Sequence, residues 1–87
     1  MKILFEDWSC SNITPQQKKN FEENIRNELT HSADGMKYIP QKLTVSIFEI
    51  PYTRSLSCHG VDDNGNELVT YIYPISGGES KFHFPKD

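Results

Sequence analysis

Hydrophobic residues recur at every second position in several parts of the chain, a period that is typical of β-strands. The first such part is K-I-L-F-E-D-W, residues 2–8. Alternation there places Ile3 and Phe5 on one face and Leu4 and Trp8 on the other. Because both faces carry apolar residues, we predict a strand that lies inside the sheet.

The next segment changes to the period of an amphipathic helix. It opens with T-P-Q-Q, in which Thr14 is a good N-cap, proline occupies the first helical position and Gln17 completes a capping box. The predicted helix runs from residue 15 to about residue 30 or 31, and Gly35 is a stop signal. Its apolar face is a single row, so the helix can cover only part of one sheet face. The row consists of Phe21, Ile25 and Leu29.

The strongest strand pattern is L-T-V-S-I-F-E-I, residues 43–50, which Pro51 ends. Leu43, Val45 and Ile47 alternate inward, and Phe48 and Ile50 fall on the opposite face.

A hairpin is predicted over residues 55–74, where Asn64-Gly65 separates two β-rich runs. Both residues tolerate the positive φ of a type I′ turn, and a two-residue loop fixes the register. Asp62 then faces Glu67 across the hairpin. The predicted pairs are Val61 with Leu68, His59 with Thr70, Cys58 with Tyr71 and Leu56 with Tyr73.

S-G-G-E at 76–79 is a second turn signal, and K-F-H-F at 81–84 is a candidate final strand. A hairpin there places Tyr73 near Phe82 and Tyr71 near Phe84, which extends an aromatic face.

These elements predict one α+β domain over residues 1–87, a two-layer sandwich with one helix on a mixed sheet of four or five strands. The order is β-α-β-β-β with an optional fifth strand, and the first two strands form a parallel pair. The pattern does not decide which face the helix covers. The other face keeps apolar residues that either form an interface or lie beneath the loop at 32–42, which contains Met36, Tyr38 and Ile39.

The net charge of −3 and the scattered basic residues argue against nucleic acid as a partner. No apolar run is long enough to span a membrane, and Glu6 and Asp7 interrupt any signal-peptide core, so we expect a cytoplasmic protein. Cys10 and Cys58 fit a reducing compartment. The segment from Asp62 to Glu79 contains four acidic residues and no basic one, which favours a basic partner or a solvated surface.

No catalytic or metal-binding constellation is recognised. Adjacent strand residues point to opposite faces, so Cys58 and His59 cannot act as a nucleophile–base pair. An EF-hand loop aligned on Gly65 has Gly60 and Tyr71 at its first and last ligand positions, and both fail. The histidines and cysteines lack zinc-site spacing. We therefore expect no metal, no cofactor and no enzymatic activity. A small enzyme would have to use His59, Asp63 and Tyr71.

The first half of the chain resembles the start of ribosome hibernation factors in the order K-I-L-F, I-T-P-Q-Q-K-K-N-F-E-E-N-I-R-N-E-L and L-T-V-S-I. Those factors continue with two more strands and a second helix, and they carry basic residues for rRNA that are missing here. The resemblance implies an RNA- or ribosome-associated module as an alternative function. The same stretch is similar to small tautomerases, but Lys2 stands where their proline base would be.

The function that these observations favour is a small acidic, non-enzymatic protein-binding domain of the inhibitor, immunity or anti-defence type. It would bind a basic protein, or a second copy of itself, through an apolar sheet face and the acidic hairpin. The candidate contacts are Asp62, Asp63, Glu67 and His59, with Tyr71, Tyr73, Phe82 and Phe84 as apolar anchors.

Overall fold

The computed structural model describes residues 1–10 and 13–85, and within them it contains one α-helix and five strands. A short 3₁₀ turn at Ala33–Gly35 follows the helix. The predicted α+β order, including the fifth strand, is confirmed. The elements are β1 (Lys2–Ser9), α1 (Pro15–Ser32), β2 (Lys42–Ile50), β3 (Ser55–Val61), β4 (Glu67–Pro74) and β5 (Lys81–His83).

The strands lie side by side in chain order, β1-β2-β3-β4-β5. β1 is parallel to β2, and every other neighbouring pair is antiparallel. Helix α1 provides the crossover between the parallel strands, as predicted. The prediction that β1 lies inside the sheet is wrong, because β1 forms one edge. Three of its apolar residues, Ile3, Phe5 and Trp8, lie on the face that the helix covers, whereas the pattern had placed only Ile3 and Phe5 together.

A β-bulge at Asp7 changes which face of the sheet the end of β1 presents to the helix. The pairing with β2 shifts between Glu6 and Trp8, and Asp7 has a φ of 51°. The extra residue places Trp8 opposite Ile47, on the same face as Ile3 and not on the opposite face as predicted. Its indole Nε1 there donates a hydrogen bond of 2.8 Å to Glu22 on α1.

The start of α1 follows the sequence signal. Gln17 N–H donates to the Thr14 hydroxyl at 3.1 Å, and Thr14 N–H donates to the Gln17 side chain at 2.9 Å. This is the predicted capping box. Of the apolar row, Ile25 and Leu29 are fully buried, while Phe21 is half-buried. The core lies between this row and the inward residues of β2, β3 and β4. Its fully buried strand residues are Leu43, Val45, Ile47, Leu56, Cys58 and Val69.

The turn of the β3–β4 hairpin differs from the prediction. Gly65 has a φ of 83°, but Asn64 does not have a positive φ. Gly65 N–H donates to the Asp62 carbonyl, and Asp62 N–H donates to the Asn66 carbonyl. The loop is therefore a type I turn followed by glycine, with three residues and not two.

The longer loop changes the strand register at the turn end of the hairpin. Val61 pairs with Glu67 and not with Leu68, and the shift lies next to Gly60. Leu68 is consequently buried in the core, whereas the predicted pairing with Val61 would place it on the face opposite to Cys58. Below the shift the predicted pairs of Leu56, Cys58 and His59 are confirmed.

The connection from β4 to β5 is also longer than predicted. Tyr71 pairs with Phe82, not with Phe84, and Ile72 pairs with Lys81. Gly77 and Gly78 both have positive φ values in the loop at 75–80. The slip is two residues, so each side chain keeps its predicted face.

The loop between α1 and β2 does not cover the second sheet face. Met36 is buried in the core, while Tyr38 and Ile39 remain exposed. On the uncovered face, Phe48 and Ile72 are 41% and 40% exposed. Among the residues described, no helix has the length and apolar character needed to cross a membrane.

Candidate functional site

One face of the sheet is not covered by α1, and we call it the open face. Alternation along each strand assigns its members. Serine, threonine, histidine and lysine side chains are mixed there with five apolar residues, which is compatible with one water-facing side of an antiparallel sheet. The open face includes Leu4, Thr44, Ser46, Phe48, Ile50, Ser55, Ser57, His59, Val61, Thr70, Ile72, Lys81 and His83.

His59 lies near the centre of the open face and has three side-chain neighbours. Its Nδ1 is 3.3 Å from a Glu67 carboxylate oxygen, and its Nε2 is 3.2 Å from the Ser57 hydroxyl. The ring stacks on Phe48, with centroids 5.1 Å apart and planes 18° apart. Because a carboxylate oxygen accepts hydrogen bonds, the contact with Glu67 favours the tautomer with a proton on Nδ1, and Nε2 of that tautomer can accept from Ser57.

The sequence interpretation missed Ser57, although a signal for it exists. Residues i and i+2 on a strand share a face, so Ser57 and His59 had to be neighbours once β3 was recognised. Glu67 was among the predicted site residues, but opposite Asp62. The shifted register pairs it with Val61 and brings its carboxylate to His59.

A shallow cavity of about 260 Å³ lies beside this group. Two rows of paired residues cross it from β3 to β5. One runs from Ser57 through Ile72 to Lys81, and the other runs from His59 through Thr70 to His83. The lining thus combines residues with hydroxyl, imidazole and ammonium groups with the apolar residues Tyr71, Ile72 and Phe82.

The four aromatic residues predicted as partner anchors lie on the face that α1 covers. Tyr71 is buried and stacks on Phe82 at 4.9 Å, and Phe84 stacks on Phe82 at 6.0 Å. Tyr73 packs edge-on against Phe21, and its hydroxyl accepts a hydrogen bond from Asn24. Their predicted exposure on an open sheet face is therefore wrong, because the helix covers the aromatic side of the hairpin.

Tyr71 and Cys58 form a buried pair across β3 and β4. The pKa of Cys58 is raised to about 12, mainly because the thiol is buried. Burial also raises the pKa of Tyr71. The thiol is close enough to affect the Tyr71 pKa, but the geometry gives the Tyr71 hydroxyl no hydrogen-bond partner among the described residues. Cys10 and Cys58 are free thiols. Cys58 is a core residue on the face opposite to His59, as predicted.

The three acidic hairpin residues have different environments. The Asp62 carboxylate accepts hydrogen bonds from Asn64 N–H at 2.9 Å, and from Asn66 N–H at 2.8 Å. It is buried and closes its own turn. The prediction that its charge contacts a partner is therefore wrong. Asp63 is exposed, 3.4 Å from the Lys42 ammonium. Within residues 1–10 and 13–85, no group of three or more His, Cys, Asp or Glu residues could hold a metal ion.

The stability of the fold is expected to depend on Asp62 at low pH. Burial alone would raise the pKa of this carboxyl, but the hydrogen bonds from Asn66, Asn64 and Gly65 lower it more, and the net direction is downward. A lowered folded-state pKa stabilises the protein above the ordinary aspartate value of about 3.9. This contribution is lost as the pH falls from that value through the folded-state pKa.

Asp62→Asn is therefore expected to lower the free energy of unfolding at pH 7 and to flatten its decrease below pH about 4. Urea denaturation at a series of pH values measures both effects. The matched control is Asp63→Asn, the same change at the exposed neighbouring position. An unchanged acid dependence in Asp62→Asn would contradict the role of this carboxylate.

The turn from β2 to β3 carries a fully exposed aromatic residue, Tyr52. Tyr52 and Arg54 have φ values of 66° and 50°, a region that costs a non-glycine residue about 1–2 kcal/mol. The turn is held by Thr53, whose hydroxyl donates to the Ile50 carbonyl at 2.9 Å, and by Ile75 N–H, which donates to the Arg54 carbonyl at 2.9 Å. Tyr52 is thus presented to solvent by a fixed backbone, and sequence alternation gave no signal for it.

The open face, the Tyr52 turn and the hairpin acids form the candidate site that the geometry defines. Comparison of the chain with protein-family models, with curated protein sequences and with solved structures returned no significant match.

Proposed function

We propose that this chain is a protein-binding domain of the inhibitor, immunity or anti-defence type. Its contact surface is the open face together with the turn at 51–54. The observation that carries the proposal is the full exposure of Tyr52 on a turn held in a strained conformation. Strained backbone that the surrounding structure maintains is concentrated at functional sites, and tyrosine is among the residues that dominate binding energy at protein interfaces.

The exposed apolar residues of the open face support this surface. Phe48 and Ile72 are each about 40% exposed. Phe48 lies four residues before Tyr52 on the strand that leads into the turn. Both aromatic residues therefore lie towards the end of β2 that leads into the turn.

Charge favours a basic partner. The chain has a net charge of −3, and Asp63 and Glu67 lie at the hairpin end of β3 and β4 with side chains 58% and 45% exposed. Such acidic groups at the rim of an interface steer a basic protein to it more than they tighten the final complex. The proposal places the contact in the cytoplasm, where Cys10 and Cys58 stay reduced.

The test is affinity capture by the tagged chain from host lysate, with RNase, compared between variants. Phe48→Ser with Tyr52→Ala removes the proposed contacts. The matched control is Ile39→Ser with Tyr38→Ala, which also removes one exposed apolar side chain and one exposed tyrosine, here from the loop before β2. We expect one basic protein to be captured by the wild type and by the control, and to be at least 10-fold depleted with the first variant, since losing 1.4 kcal/mol weakens binding tenfold.

Capture that is equal for the two variants would contradict the proposed surface. Recovery of ribosomal proteins that RNase removes would favour the ribosome-associated alternative. Concentration-dependent dimerisation that Phe48→Ser with Tyr52→Ala abolishes would identify a second copy of the chain as the occupant.

A further inference from the structure

The geometry points to a chemical capability of the open face: Ser57 is an activated nucleophile for small esters, with His59 as its general base. Glu67 acts as a positioning residue for His59. This inference goes beyond the proposed binding function and does not depend on it. It is an alternative to the expectation of a non-enzymatic domain.

The three groups are connected in the order that such chemistry requires. Ser57 Oγ lies 3.2 Å from His59 Nε2, and His59 Nδ1 lies 3.3 Å from the Glu67 carboxylate. A nucleophile, a base within hydrogen-bond reach and a third group that orients the base are the signature of nucleophilic catalysis. The contact with Glu67 favours the tautomer in which Nε2 is an acceptor, and Phe48 stacks on the ring with centroids 5.1 Å apart.

The reaction follows from this arrangement. Ser57 Oγ attacks the ester carbonyl carbon and transfers its proton to His59 Nε2. The C–O bond to the leaving alcohol then breaks, and His59 returns the proton to that oxygen. Water attacks the acyl-serine, again with proton transfer to His59, which finally reprotonates Ser57 as the carboxylic acid leaves. Atoms, protons and electrons balance without a cofactor.

The cavity beside Ser57 indicates the class of ester. Its volume of about 260 Å³ fits a small molecule. Lys81 and His83 line it and lie two strands from Ser57 and His59, which is about 10 Å across the sheet. These groups suit an anionic substituent at one end of the substrate while Ser57 reacts at the other. The expected substrate is therefore a small ester that carries a carboxylate.

The first test is labelling of the whole wild-type chain with a fluorophosphonate, which forms a serine O–P bond and releases fluoride. Peptide mass spectrometry measures the rate at each serine. Ser55 is the internal control, because it lies two residues away on β3 and its hydroxyl donates to the Thr53 carbonyl. We expect Ser57 to react about 100-fold faster than Ser55, the lower end of what a general base supplies.

Variants test the roles of the other two residues. His59→Phe keeps an aromatic ring on Phe48 and is expected to slow the labelling of Ser57 about 100-fold. Glu67→Gln is expected to change the ¹⁵N chemical shifts of the imidazole towards the other tautomer and to slow labelling, an effect that a purely structural role would not produce. Circular dichroism and urea denaturation verify the fold of each variant.

Hydrolysis of the p-nitrophenyl half-ester of glutaric acid, compared with p-nitrophenyl acetate, tests the substrate class. The wild type should favour the half-ester, and Lys81→Gln should lose most of that preference. Equal rates in both proteins would overturn the assignment of an anionic ester. Labelling of Ser57 no faster than that of Ser55 in the wild type would overturn the whole inference, and this comparison needs no variant to fold.

Discussion

Replacement of Ile25 by alanine is expected to lower the free energy of unfolding by about 2–5 kcal/mol. Ile25 is completely buried and lies in the middle of the single apolar row through which α1 packs on the sheet. Only Leu29 and the half-buried Phe21 remain in that row after the change. Native proteins have a total stability of about 5–15 kcal/mol. A loss of about 5 kcal/mol would therefore leave a large part of the protein unfolded if its total stability lies near the lower end of that range.

Urea denaturation followed by Trp8 fluorescence measures this effect, since the Trp8 indole bonds to Glu22 on the same helix. The control is Glu23→Ala, an exposed position on α1, for which a change within about 0.5 kcal/mol is expected. A loss below about 1 kcal/mol for Ile25→Ala would mean that the cavity collapses or that the helix contributes little to the core.

Gly60→Ala should destabilise the protein by about 1–3 kcal/mol through overpacking. A Cβ atom at this position would lie 2.9 Å from a Val69 methyl carbon and 3.1 Å from a Leu43 methyl carbon. Both neighbours are fully buried on adjacent strands, so neither can move without displacing others. The glycine is required here for space and not for a positive φ.

A double-mutant cycle separates this explanation from a general loss of strand stability. In a Val69→Ala background the added methyl group has room, so Gly60→Ala should cost clearly less than it does in the wild type. Equal costs in the two backgrounds would show that the contact with Val69 is not the cause.

The parts of the fold that follow from local chemistry were predictable from sequence. The capping box of Thr14 and Gln17 satisfies helix-end amides with adjacent side chains, so its pattern is visible in four residues. The inward set of β2 was likewise visible, because a strand with strict alternation has one arrangement that buries Leu43, Val45 and Ile47 together.

The errors arise where one residue leaves the regular backbone. Asp7 adopts a positive φ that nothing in its neighbourhood signals, and every later position on β1 then changes face. In the hairpin, Asn64-Gly65 favours a type I′ turn, but the structure has a type I turn instead. In this turn the Asp62 carboxylate accepts hydrogen bonds from two backbone amides. These bonds reach amides two and four residues further along the chain, so the competing signal is also local: an aspartate side chain that stabilises its own turn.

The candidate site shows the same division. The proximity of Ser57 and His59 follows from alternation alone, whereas the approach of Glu67 requires the register shift beside Gly60. Alternation alone does not determine on which side of the sheet the crossover helix lies. The helix lies on the side of Tyr71, which is buried, and Phe48 on the other side is exposed.

The order of the strands has a consequence for the route of folding. From β2 to β5 each strand pairs with its successor through a short connection, so these pairs close small loops at low entropic cost. Only the β1–β2 pair must wait for the whole crossover, including α1, to be closed. We therefore expect the meander of β2 to β5 to be formed in the folding transition state and β1 to join late. Changes in β1 would then act mainly on the unfolding rate, whereas changes in the meander would slow folding.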